Sequence, residues 1–171
     1  MKRLHVMRLT ILAALVMLVG LFDFAAPSAE AATIVALGAS NTYGKGVARN
    51  QAYPAQLEAI LRARGLKAHV VNAGINGDTT EGMLNRLDRV VPKGIGAVIF
   101  QPGGNDRRRG SADRSGEIES RLRARGVAVI MMPNSSFSGL PHQPDGMHLT
   151  PEGYRMLAER VAPEVMSAIG R

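Results

Sequence analysis

The chain has 171 residues with no cysteine and no tryptophan, and it carries 21 Lys+Arg against 14 Asp+Glu, a net charge of +7. The absence of cysteine excludes disulfide staples, thiolate nucleophiles and cysteine-bound metals. The basic excess is scattered over helix-like faces (Arg62/Arg64, Arg86/Arg89, Arg121/Arg123/Arg125) with one cluster at Arg107-Arg108-Arg109, and four Phe with three Tyr make no stacking platform, so solvated faces and no nucleic-acid partner are expected.

Lys2, Arg3 and Arg8 precede an uncharged apolar stretch from Leu9 to Phe22, and Ala29-Glu30-Ala31 offers small residues where a signal peptidase reads. This pattern predicts a secretory signal over residues 1–31, cleaved before Ala32, and a periplasmic or secreted domain over residues 32–171. The apolar stretch is shorter than the ~20 residues of a comfortable membrane span. An uncleaved anchor is the alternative.

Thr33–Leu37 reads as a strand buried on both faces. A helix follows over Pro54–Arg64, with Leu57, Ile60 and Leu61 on one side and Gly65 as its stop. Ala68–Asn72 is a second strand, and Thr80–Val90 a second helix facing inward through Met83, Leu84 and Leu87. Ala97–Gln101 is a third strand, Asp113–Arg125 a charged helix, and Val127–Met132 a fourth strand. Thr150-Pro151 opens the last helix as N-cap and first residue, and Pro163 predicts a kink or an early break in it. Alternation of this kind predicts an α/β fold with a mostly parallel sheet, right-handed crossovers and helices on both faces.

Such sheets bind ligands beyond the carboxyl ends of their strands. Four loops should meet there: Gly38-Ala39-Ser40-Asn41, Asn72 to Asp78, Pro102 to Asp106, and Asp145 to His148. The first is glycine-rich, yet it is no phosphate cradle. Gly38 and Gly44 are six apart rather than five, and Gly46 stands where a magnesium-binding hydroxyl belongs. The alternative is that Ser40 is a nucleophile. A serine needs an imidazole to take its proton, and the imidazole needs an acceptor on its other nitrogen. His148, with Asp145 three residues earlier, supplies both in the order Ser40, Asp145, His148, with His142 as the rival base. The spacing G-x-S-x-G is not matched, because Thr42 replaces its second glycine. Candidate donors to a developing oxyanion are the N–H groups of Ser40 and Gly77 and the amide of Asn105.

Four segments, "GASN" at Ser40, "NAGINGDTT" at Gly77, "GGND" at Asn105 and "DGMHLTPEGY" at His148, resemble in order the blocks of the SGNH (GDSL-type) serine hydrolases, above all the exported branch of arylesterases, thioesterases and lysophospholipases. The resemblance implies a flavodoxin-like three-layer α/β/α sandwich and hydrolysis of esters or thioesters with no metal and no cofactor. It implies an oxyanion hole made by Ser40 N–H, Gly77 N–H and the Asn105 side chain. The implied substrate is a small ester, thioester or lysolipid, met with transient contact at a membrane surface. Oligomeric state stays open.

There are two departures from the family pattern. Ala39 replaces the aspartate of the usual "GDS", a residue outside the triad. The family's further helix and strand before the last block are replaced by Pro133 to Gly146 alone, which predicts a sheet of about four strands and a groove open on one side.

Plainer readings stand beside these. Ser40 and Asn105 are also turn formers, Gly77 a positive-φ residue, and Asp145 a turn cap. Asp78 reads as a helix N-terminal residue, His69 as structural, and Arg107–Arg109 as a solvated loop or an attractor of anionic groups. His142, Asp145 and His148 as metal ligands lack a support shell. The competing functions are a catalytically impaired lipid- or carbohydrate-binding scaffold, a carbohydrate acetylesterase, and a basic surface-interaction protein.

Overall fold

The computed structural model describes residues 31–170; the expected signal segment, up to residue 30, lies outside the described residues. Strand β1 (Ala32–Gly38) is buried from Ile34 onward and forms the centre of the sheet. It pairs in parallel with β2 (Ala68–Gly74) on one side and β3 (Ala97–Gln101) on the other, and β4 (Ala128–Met131) pairs in parallel with β3. The order β2-β1-β3-β4 is that of a flavodoxin-like sheet with four strands.

Successive side chains of a strand point to opposite faces, and the core divides accordingly. Ile34, Ala36 and Ile99 face Tyr53, Leu57 and Leu61 of helix α2 (Tyr53–Ala63) and the apolar side of α7 (Pro151–Ile169). Val35, Leu37, Val98 and Phe100 face Met83 of α3 (Thr80–Asn85), Leu87 of α4 (Leu87–Val90), and Ile118 and Leu122 of α6 (Ser115–Ala124). The three layers follow from this alternation.

Two short helices escape the periodicity, α1 (Ser40–Tyr43) and α5 (Asn105–Arg109), each opening directly after a strand-end loop at the sheet's carboxyl edge. Arg107–Arg109 is therefore helical rather than a loop. The expected single helix Thr80–Val90 is divided at Arg86 (φ −107°, ψ 2°), whose buried guanidinium is drawn to the strand ends. In contrast, α7 runs through Pro163 without the expected early break, since Val161, Ala162 and Val165 around it are packed into the core.

Pro133 to Gly146 is not bare loop. It contains a 3₁₀ turn, Asn134–Phe137, buries Phe137 and Leu140, and ends in an antiparallel bridge between His142 and Leu149. Gln143 fastens it: its Nε2 donates to the carbonyls of Lys45 and Leu149, while its backbone N–H donates to His148 O. Among the described residues no helix is long and apolar enough to cross a membrane.

Candidate functional site

The chain reverses its crossover direction between β1 and β3, and the crevice at their carboxyl ends is where such a sheet takes a ligand. Ser40 leaves β1 there and opens α1. This tight turn depends on glycine, because a Cβ on Gly74 would fall 2.1 Å from Tyr43 N, and one on Gly38 2.2 Å from Thr42 Oγ1.

His148 Nε2 lies 2.9 Å from Ser40 Oγ, across 108 residues of chain. Its Nδ1 lies 2.5 Å from Asp145 Oδ2. The other oxygen, Oδ1, accepts the N–H groups of Met147 and His148, both at 2.9 Å. Asp145 thus closes the turn and holds the imidazole at once. These contacts, with the His148 ring first, keep the Asp145 carboxyl well below the usual carboxylate range. An ionised carboxylate only accepts, so His148 Nδ1 donates to it, and in the neutral imidazole Nε2 is then the nitrogen that accepts from the Ser40 hydroxyl. His142 is elsewhere engaged: its Nδ1 donates to Leu140 O at 2.7 Å.

A cavity of about 230 Å³ opens over this chain of contacts, lined by Ser40, Asn105, Arg107, Arg108, His142 and His148 among others. Gly77 is not among the residues lining it; at φ +73° it occupies the loop after β2. The Asn105 amide is fixed at both ends. Its Nδ2 donates to Asp78 O at 2.7 Å, and its Oδ1 accepts from Arg108 at 2.8 Å, which leaves the second Nδ2 proton unspent.

The frame behind the site includes residues that sequence patterns pass over. Gln101, buried at the end of β3, accepts Ala39 N–H at 3.1 Å and the Thr42 hydroxyl at 3.0 Å. It thereby holds the turn around Ala39 through the backbone. Arg86 donates to Ala73 O, Gly38 O and Asp78 Oδ2, joining the ends of β1 and β2 to the loop that receives Asn105. Its expected place on a solvated face is corrected here, since it is 7 % exposed. Asp78, expected as a helix N-terminal residue, is the partner of this arginine, while Thr79 caps α3. Tyr154 donates to Asn41 Oδ1 at 3.0 Å, and Asn41 donates to Met147 O at 3.0 Å, so α7 and α1 together brace the His148 loop. Burial pushes the Tyr154 phenol up, which keeps it a donor.

Gln101→Leu should leave two buried donors without an acceptor, at a cost of about 2–6 kcal/mol at roughly 1–3 each. A lowered urea midpoint with unchanged m-value would report it; a midpoint equal to that of the parent chain would show that the turn stands without this side chain.

Residues 36–142 match the GDSL-like Lipase/Acylhydrolase family. The chain belongs to that family. The matched segment contains Ser40, Gly77 and Asn105 and stops before Asp145 and His148. The chain is 33 % identical over 110 residues to Esterase TesA of Pseudomonas aeruginosa, an overlap of 61 % of this chain and 55 % of that protein, so it spans about half the length of this curated relative. Among solved structures it resembles a crystal structure of TesA (TM-score 0.64, 25 % identity, 80 % of this chain and 99 % of the other). It also resembles AlinE4, an SGNH-hydrolase family esterase (TM-score 0.52, 28 % identity, 82 % and 74 %). This GDSL-like chain shares their α/β fold, and its own parallel sheet has four strands.

Proposed function

We propose that this GDSL-like protein hydrolyses carboxylic esters or thioesters of small acyl groups, with Ser40 as nucleophile, His148 as general base and Asp145 as the acceptor that orients the base. The observation that carries this reading is the unbroken chain Ser40 Oγ, His148 Nε2, His148 Nδ1, Asp145 Oδ2, held at 2.9 and 2.5 Å beneath an open cavity. The esterase names of the relatives support it.

In this mechanism His148 Nε2 takes the Ser40 proton as Oγ attacks the carbonyl carbon. The imidazolium that forms is stabilised by ionised Asp145. Collapse of the tetrahedral intermediate breaks the bond to the leaving oxygen or sulfur, which receives the proton from His148. Water then repeats the sequence on the acyl-enzyme and releases the acid. The negative oxygen is met by the free Nδ2 proton of Asn105 and by Ser40 N–H, which lies in the first turn of α1 and has no helical partner. Gly77 N–H, one residue before the Asp78 carbonyl that orients Asn105, is the third proposed donor.

The cavity volume lies below the ~300–1,000 Å³ of drug-sized sites, which favours short acyl groups. The full chain should hydrolyse p-nitrophenyl acetate and butyrate faster than the octanoate; no turnover of any of them, nor of an acyl thioester, would reject the hydrolase reading. Asn105→Ala should lower kcat about 10²–10³-fold, the usual effect of removing one oxyanion donor. Covalent labelling of Ser40 should persist in that variant, and an unchanged kcat would remove Asn105 from the reaction. We further propose export directed by residues 1–31, supported by their charge and small-residue pattern.

A further inference from the structure

We propose that the cavity selects esters bearing an anionic group, which Arg107 binds in the cavity that it lines together with Ser40. The inference rests on the hydrolase reading above and narrows its substrate class. Its basis is an imbalance of charge. Elsewhere on the described surface several arginines are answered by carboxylates, among them Arg62 by Glu58, Arg121 by Glu117, Arg123 by Glu119 and Arg155 by Glu152, while Arg49 and Arg160 rest on backbone carbonyls. Around the cavity that pattern stops.

Arg107 and Arg108 both line the cavity, and among the described residues no Asp or Glu lines it. Neither arginine has a carboxylate partner among the described residues. Arg108 rests on neutral acceptors instead, Asn105 Oδ1 at 2.8 Å and Met147 Sδ at 3.4 Å, so its charge is held in place without being neutralised. The adjacent Asp106 is buried and accepts from Thr80 and Ser111, and Asp145 is committed to His148. A small concave site with two guanidinium groups and no fixed anion suits a carboxylate or phosphate, which the planar fork can take in a bidentate manner.

The two arginines divide the work. Arg108 touches Asn105 and is a positioning residue for the amide that faces the reaction. Arg107 is not among the hydrogen-bond partners of that amide in the described residues, and its exposed side chain lines the cavity where it can meet substrate. The anionic group can belong to the acyl part or to the leaving group, and matched substrate pairs separate these sources. For the acyl side the pair is mono-p-nitrophenyl glutarate against p-nitrophenyl butyrate; for the leaving side it is 4-acetoxybenzoate against its methyl ester.

With the full chain, the kcat/KM ratio of the anionic to the neutral ester should fall about tenfold in Arg107→Gln for at least one pair, mainly through KM, as expected for loss of a charge-assisted contact. Arg107→Lys should recover part of the preference. The preference should also weaken between low and high salt, because a partly exposed charge is screened over ~8 Å at physiological ionic strength. Arg108→Gln should instead lower kcat for both members of a pair. If the neutral esters turn over while both ratios stay at their parent values in Arg107→Gln, the anion-binding inference falls and the hydrolase reading survives. If none of the four esters is hydrolysed, both fall together.

Discussion

Ser40→Ala should reduce kcat for p-nitrophenyl acetate by on the order of 10⁵–10⁶-fold, to the level left by binding and oxyanion donors alone. The substitution removes the only atom placed to attack the carbonyl and the only hydroxyl that meets His148 Nε2 among the described residues. It should leave the fold intact. Ser40 is partly exposed, and the turn around it is held by Gln101 through Ala39 N–H and Thr42 rather than by the Ser40 side chain. Steady-state hydrolysis checked alongside unfolding separates the two effects. A variant that retains more than about a tenth of the parent kcat would show that another group attacks, since no alternative in a triad restores that rate.

Asp145→Asn should cost about 10⁴-fold in kcat, and the structure gives the reason. Asp145 Oδ1 accepts two backbone N–H groups, from Met147 and His148, so the oxygen of the introduced amide must stay on that side. The amide NH₂ is then turned toward His148 Nδ1 and donates to it. That forces the imidazole proton onto Nε2, where it faces the Ser40 hydroxyl and blocks proton abstraction. The loss comes from the wrong tautomer rather than from a displaced ring. A variant with near-parent kcat would mean that Asp145 only closes its turn.

The same carboxylate carries a pH signature. Its folded pKa is depressed, so its contribution to stability is present above the ordinary aspartate value of ~3.9 and is lost as pH falls through the lowered folded value. The contribution is modest, because the side chain is 38 % exposed and solvent screens the pair. Any stability difference between the parent and Asp145→Asn should therefore hold from neutral pH down to about pH 4 and shrink below it. Thermal unfolding of the two chains across that range reads the difference, and a gap that instead widens toward acid pH would contradict the assigned ionisation.

Much of this arrangement is legible in the sequence. β3 occupies the expected residues Ala97–Gln101, because a continuous apolar run between turn signals has one sensible reading in a buried parallel sheet. The short helices α1 and α5 are not legible, since one helical turn has no period to detect. The supporting contacts are hidden for a different reason. Gln101 reaches Ala39 across 62 residues, Arg86 reaches Gly38 across 48, and Tyr154 reaches Asn41 across 113. No local pattern encodes such pairs. Signals exist nonetheless: Gln101 is a polar residue closing an apolar strand, and Arg86 falls on the inward face of its helix, three residues after Met83 and beside Leu87. The break at Arg86 likewise defeats periodicity, because a buried guanidinium with three acceptors outweighs the propensity of one helical turn.

The most direct test of the central claim is covalent. The full chain is treated with a fluorophosphonate, its intact mass is measured, and the modified peptide is sequenced. One adduct per chain on Ser40, absent from Ser40→Ala and greatly slowed in Asp145→Asn, is the predicted result. A folded parent chain that takes up no label, or takes it on another residue, would contradict the assignment of Ser40 as an activated nucleophile.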